Sequence, residues 1–470
     1  MTQPFVPPTN PPMPIRWLPG RMWLVLVLLL LCGMWCYEAA CGQDISTTTT
    51  TADEFWPSWR GPLATGEAPR ARPPTSWSET EQVQWKVELP GLGHSTPIVW
   101  GQTVFVTTAI PVGEPLEPRY SQAPGAHDNA PVTSRQKFAV LAVNRRDGSI
   151  RWKTDLREAL PQEAGHLTAS LASNSPVTDG QHLYAFFGSH GLYCLDFEGR
   201  VVWQRSFGVM QSKHGHGEGS SPALYDDTLF VVWDHEGESF LIALDKLTGN
   251  ERWKVARDEP TSWASPIVVR PEGQAQVIVS GTNRVRAYDA TNGEVIWQTG
   301  GLSANVVASP VSSDGVAIFG SSYDTQAMFA VDLHEARGEL TNSKKILWSR
   351  RHRTPYVPSP LLYRGSVYFL RHYQNVLSIV DAQTGAEPVG PFRLDGIGNL
   401  YASPVAADGR LYLTDLNGAT LVLTADRIPR PLALNRLDDS FSASPAVAGQ
   451  QMFLRGRRFL YCVADDSDRE

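Results

Sequence analysis

One recurrence constrains this chain more than any other feature. A Ser-Pro or Thr-Pro pair followed by apolar residues returns eight times along the 470 residues, at Pro97, Pro176, Pro222, Pro266, Pro310, Pro360, Pro404 and Pro445. Successive prolines lie 79, 46, 44, 44, 50, 44 and 41 residues apart. A period near 44 is that of a four-stranded propeller blade. The longest spacing is one unit plus an insertion, placed at Ile110 to Lys137.

Each unit repeats the same order of signals. A short apolar strand follows the proline, then a turn such as Asp179-Gly180, Asp314-Gly315 or Asp408-Gly409, pairs that suit the positive φ of tight hairpins. A second strand follows, for example Leu229-Phe230-Val231 or Val367-Tyr368-Phe369. A third ends in Asp and a Gly turn, as in Asp245-Lys246-Leu247-Thr248-Gly249, where Asp caps the turn and Gly takes the left-handed position. The fourth carries a tryptophan: Trp152, Trp203, Trp253, Trp297 or Trp348. Phe392 and Leu432 stand near its place in the two units without it.

The last unit stops after three strands, at Cys462-Val463-Ala464-Asp465, whereas a spare tryptophan strand, Val83-Gln84-Trp85-Lys86-Val87, precedes the first unit. The N-terminal strand is therefore expected to complete the last blade, which removes the open sheet edge between the ends of the ring. The fold predicted is all-β: an eight-bladed propeller of four-stranded antiparallel blades over residues 80–465, with each tryptophan a wedge between neighbouring blades.

Residues 1–42 read as a signal peptide or an N-terminal membrane anchor. Arg16 and Arg21 precede an apolar run from Met22 to Leu31, and Ala40-Cys41-Gly42 offers small residues for cleavage. A lipidated Cys41 is a further reading, although Glu38 stands where an aliphatic residue is usual. Residues 43–54 form a Thr-rich linker, 55–79 a lead-in segment and 466–470 a tail. The chain is thus expected to be exported, to the periplasm, the cell envelope or beyond, and to meet a membrane only through its N-terminal segment. Of five cysteines, only Cys194 and Cys462 fall in the repeat region, each between apolar residues, as small buried hydrophobes would. The net charge of −7 argues against a nucleic-acid partner.

The unit Ser-Pro…Leu-Tyr…Ala-φ-Asp-x-x-Thr-Gly-x-φ-x-Trp resembles the PQQ-like β-propeller repeat, found in quinoprotein alcohol dehydrogenases and in an outer-membrane assembly lipoprotein. The lead-in motif Trp56-Pro57-Ser58-Trp59-Arg60-Gly61-Pro62 is similar to one that opens many secreted proteins of this kind. The resemblance implies the fold across residues 80–465. It leaves the function open, because the repeat is a packing motif. A quinoprotein dehydrogenase of this family holds PQQ between a tryptophan and a vicinal disulfide, beside a Ca²⁺ ion. This chain has no adjacent cysteine pair and no Cys-x-x-Cys-His.

The segments before each Ser/Thr-Pro pair are expected to gather at one face, around the central channel. They supply His94, Asn174, Glu218, Trp263, Asn305, Tyr356, Tyr401 and Phe441 as candidate binding residues. His214, His216 and Glu218 are a candidate metal set, if a third histidine such as His94 or His166 converges on them. The expected function is a non-catalytic scaffold that docks a protein or cell-envelope partner, with no cofactor assigned. The alternatives are a PQQ- and Ca²⁺-dependent oxidoreductase and a metal-binding propeller.

Overall fold

The structure is a computed structural model that describes residues 52–465. Residues 1–51, with the expected targeting segment, most of the expected linker and Cys32, Cys36 and Cys41, and residues 466–470 lie outside the described residues. No described helix is long and apolar enough to cross a membrane.

The described residues form eight sheets, each with a four-stranded antiparallel core. Blade 3 is representative: Ala223–Tyr225, Thr228–Trp233, Ser239–Asp245 and Glu251–Arg257 run from the channel outward. Blades 1 and 2 precede it over 98–159 and 177–205, and blades 4 to 7 follow over 267–300, 311–350, 361–393 and 405–436. In blade 8, Phe459–Val463 pairs with the N-terminal strand Val83–Glu88, so the ring closes as the spare tryptophan strand required. Blade 4 carries one addition, a parallel pairing of Gly338–Glu339 with Val295–Gly300.

The Ser/Thr-Pro signature has a specific cause. The backbone N–H of Thr96 donates to the Ser175 hydroxyl of the next blade at 2.9 Å, and Ser175 N–H donates likewise to Ser221. The series continues through Ser265, Ser309, Ser359 and Ser403 to Ser444 at 2.8–2.9 Å. Proline ends each connection and starts the inner strand, while the residue before it satisfies a buried N–H of the preceding blade. Thr96 is the exception as an acceptor, because its buried hydroxyl has no partner.

The tryptophans lock the blades together at the opposite, outer edge. The Nε1 groups of Trp85, Trp152, Trp203, Trp253 and Trp348 donate to backbone carbonyls in the next blade at 2.8–3.1 Å. Each ring lies on the glycine of that blade's turn, where a Cβ would stand 2.5–2.7 Å from ring carbons. Trp297 differs: it donates to Gln276 within its own blade, and the extra strand covers it. Across the ladder, every one of these six tryptophans faces a small residue: Cys462, Ala142, Cys194, Ala243, Ala287 and Ala330. The two free, buried cysteines therefore occupy the repeat's alanine position, and burial pushes both thiols up to about 12. In blade 7 the corresponding residue is Ala433, opposite Val422, and Leu432 is exposed instead. Phe392 pairs with Leu377, two register positions from the tryptophan's place.

The expected insertion at 110–137 is shorter than its bounds. The ladder of blade 1 continues to the pair Val112–Arg135, leaving 113–134 outside it. The connection between Ala159 and Val177 takes up the rest of the long spacing.

Candidate binding site at the mouth of the channel

The lead-in segment runs beneath the inner strands. Trp56 exchanges hydrogen bonds with Val99 of blade 1, and Pro57 accepts from Thr178 of blade 2. The chain then crosses to Leu362 and Ala406 of blades 6 and 7, and reaches Gly449 of blade 8 at Arg72. Arg60, 4 % exposed, anchors the crossing: its Nη2 donates to the carbonyls of Thr65, Pro360 and Pro404. The backbone bonds to Thr178 and Gly449 lie toward the ends of the inner strands away from the blade connections, whereas Pro360 and Pro404 open their inner strands, so the Arg60 side chain reaches up from the strap. Trp59 meanwhile faces the channel from below. The strap thus gives the channel a floor.

The 113–134 loop folds over the other end. Asp128 O accepts from Leu167 N–H at 2.8 Å, Asn129 Nδ2 donates to His214 O at 2.7 Å, and a ring nitrogen of His216 meets His127 O at 3.2 Å. Between floor and loop is a cavity of about 550 Å³.

Its lining includes much of what the sequence selected: His94, His216, Glu218, Trp263, Asn305, Tyr356 and Tyr401. Three selected residues play other parts. Asn174 is buried and spends its amide on Ser220 O at 2.7 Å. Phe441 is buried against Tyr461. His214 packs under the loop, outside the lining.

Residues with no counterpart in the sequence reading complete the wall: Trp59, His127, Asp128, Tyr323 and Tyr373. All but Trp59 sit in hairpins that follow the second strand of a unit and reach the same face as the blade connections. A row of rings results on blades 5 to 7. Tyr323 stacks on Tyr356 at 5.9 Å, Tyr356 meets His372 edge-on at 5.5 Å, and Tyr373 lies parallel to Tyr401 at 5.5 Å. Opposite, Trp263 is held by a 2.7 Å bond from Nε1 to Gly217 O.

Four imidazoles crowd the side under the loop. His127 and His166 lie 4.7 and 4.9 Å from His216, and His214 lies 5.4 Å from it. Burial, with the neighbouring His166, pushes His216 down to about 4, and burial lowers His166 too. Burial and the Arg455 charge behind the wall hold His94 at about 3. Part of Glu218 is open to the cavity, yet desolvation pushes its carboxyl up to about 7. That carboxylate accepts from Ser189 N–H, the Ser189 hydroxyl and Gln162 Nε2 at 2.5–3.1 Å.

Of the expected metal set, His214, His216 and the third histidine His166 lie together, but Glu218 does not join them. Glu218 is committed to Ser189 and Gln162, and among the described residues no three His, Cys, Asp or Glu side chains are placed to hold an ion. The residues present do not fit PQQ with a divalent cation either. That group takes an aromatic face, cations for its carboxylates and oxygen ligands for its metal. Trp59 supplies a face, but no Arg or Lys lines the cavity.

Similarity to known proteins is consistent with this architecture. Solved structures that match include BamB from Moraxella catarrhalis, at 14% identity and TM-score 0.51, covering 76% of this chain and 98% of that one. A europium-containing methanol dehydrogenase matches at 11% identity and TM-score 0.59, covering 86% and 89%. The quinohemoprotein alcohol dehydrogenase ADHIIG from Pseudomonas putida HK5 matches at 11% and 0.56, covering 89% and 81%. At these identities the likeness is one of fold. Among curated proteins, none matches the sequence. A family model described as outer membrane protein assembly factor BamB matches residues 74–209 and 136–388, and the chain belongs to this PQQ-like repeat family.

Proposed function

We propose that this protein is an exported, non-catalytic binding propeller of the cell envelope that takes part of a partner into the mouth of its channel. The observation that carries the reading is the cavity of about 550 Å³, floored by Trp59, roofed on one side by the 113–134 loop and walled by aromatic side chains. Pockets of this size with convergent polar groups on a rigid frame are the usual form of binding sites. The titratable groups in the wall spend their hydrogen bonds on the protein: Glu218 on Ser189, His216 on His127 O and His166 on Thr168. That suits recognition better than proton transfer. Family membership supports an envelope location and a protein or envelope partner, the family model being described as an outer membrane protein assembly factor.

The test is site-specific photocrosslinking in intact cells. A crosslinker at Tyr323, on the mouth, is expected to give discrete adducts, and one at Asp408, in a turn at the far end of an inner strand, is not. Equal labelling from both sites would sink the reading. Dye-coupled alcohol oxidation after addition of PQQ and Ca²⁺ tests the rival; turnover would make the mouth an active site.

A further inference from the structure

The cavity has a chemistry narrower than "envelope partner". It carries six aromatic side chains, a set of serine and threonine hydroxyls and no Arg or Lys. Of its four imidazoles, burial pushes His94, His166 and His216 toward the neutral form, and His127 lies at the loop end. Asp128 and Glu218 are the carboxylates in the lining, and Glu218 is already engaged by Ser189 and Gln162. An anionic ligand would find no Arg or Lys in the lining to pair with.

A second observation is independent of the aromatic row. Asn305 is 0 % exposed and lies against the cavity between Trp263 and Tyr356. The Tyr356 hydroxyl is near enough to feel its amide, yet neither the amide oxygen nor the nitrogen has a partner at hydrogen-bonding distance and angle. A buried amide left so costs free energy that a ligand offering both a donor and an acceptor returns. Adjacent hydroxyls on one ring do that.

We infer that the mouth binds a neutral saccharide, with the C–H face of a pyranose on the Tyr323–Tyr356 or Tyr373–Tyr401 rings and vicinal hydroxyls on the Asn305 amide. This rests on the binding reading above and names its ligand class. Aromatic rings offer a negative π face to polarised C–H groups, and the tyrosine hydroxyls of the row stand beside them to meet those of a sugar. The volume holds about two pyranose rings.

The experiment is titration calorimetry of the full chain in mild detergent against neutral homotrimers of glucose, galactose, mannose and N-acetylglucosamine, with trigalacturonate as the anionic comparison. Binding of at least one neutral trimer is expected, with trigalacturonate silent. Tyr373→Ala should weaken it about tenfold. Asn305→Ala should weaken it about tenfold to a hundredfold. Because Asn305 is buried, its variant is read only with an unchanged circular dichroism melt, and exposed Tyr373 supplies the second readout. If no neutral trimer binds, or trigalacturonate binds as well as the best of them, the saccharide assignment is overturned. If, in that case, Tyr323 crosslinks a discrete protein in cells, the binding reading survives with a different ligand; if it crosslinks nothing, both fall.

Discussion

Trp203 of blade 2 lies flat on Gly249 of blade 3, its Nε1 donating to Lys246 O at 2.9 Å and its ring where a Gly249 side chain would begin. Gly249 has φ +67, so glycine serves both the turn and the close approach. Gly249→Ala should therefore cost about 2–4 kcal/mol, from clash and left-handed strain together. Gly365→Ala is the control: φ is +73 but nothing lies within 4 Å of a new Cβ. It should cost only about 1 kcal/mol. Chemical denaturation of the two variants would show the gap, and equal losses would refute the packing role assigned to Trp203.

The hydroxyl belt makes a second contrast. Ser265→Ala removes the acceptor of the buried Ser221 N–H, at 2.8 Å. A loss of about 1–3 kcal/mol is expected. Thr96→Val removes a buried hydroxyl with no partner and keeps the shape. It should fall within about 1 kcal/mol of the wild type, on either side. Matching losses at both positions, by denaturation midpoint, would show that the belt does not stabilise the ring.

Arg60 carries no carboxylate partner among its hydrogen bonds, only the carbonyls of Thr65, Pro360 and Pro404. Arg60→Met keeps the length and loses those bonds. Hydrogen exchange should accelerate in residues 56–72, with the outer strands unchanged. Uniform protection after substitution would mean that the strap is held by its backbone bonds alone.

Acid sensitivity follows from the buried imidazoles. Burial holds His94, His190 and His216 at about 3, 4 and 4. The unfolded chain takes up protons below about 6.5 that these folded groups refuse. Their contribution is intact above that pH and is lost as pH falls from about 6.5 toward 4, at up to about 1.4 kcal/mol per pH unit for a fully buried ring. The loss is smaller for half-open His216. His94→Gln should shallow the decline in denaturation midpoint between pH 6.5 and 4.5. An unchanged slope would contradict a neutral His94.

Glu218 has the opposite sign. With its carboxyl raised to about 7, the folded state keeps a proton that the unfolded chain releases above about 4.3. This group therefore costs stability increasingly as pH rises from about 4.3 to about 7, and the full cost stands above that. Glu218→Gln should make the protein relatively more stable at pH 8 than at pH 5, compared with wild type, by roughly 1–2 kcal/mol. Midpoints that move equally at both pH values would place the proton elsewhere.

Blade number, ring closure and the interior position of Cys194 and Cys462 were legible in the sequence. Each depends on a contact repeated between equivalent residues of adjacent units: serine to backbone N–H, tryptophan to glycine turn, tryptophan to small residue. A contact made many times leaves a periodic trace, and Val83–Glu88 was recognisable because it carried one half of such a contact without the other. Leu432 missed its place by one residue because the turn between the third and fourth strands of blade 7 is one residue longer: Thr424 N–H donates to Arg430 O, whereas the equivalent Asp245 N–H donates to Asn250 O.

The mouth was only half visible, for the converse reason. His94, Trp263, Asn305, Tyr356 and Tyr401 were found because they precede the repeated Ser/Thr-Pro pair. Tyr323 and Tyr373 stand at the same place in their hairpins but no other unit has a tyrosine there, His127 and Asp128 come from the 113–134 loop, and Trp59 comes from outside the repeats altogether. What brings them together is closure of the ring. It points eight hairpins and eight connections at one axis, while the lead-in strap crosses the other end of the channel. The sequence by itself determined the ring, because the ring is built from near-identical local contacts. Only the tertiary structure decided the cavity, because its residues come from connections, hairpins, one loop and the strap, which share a location and no single pattern.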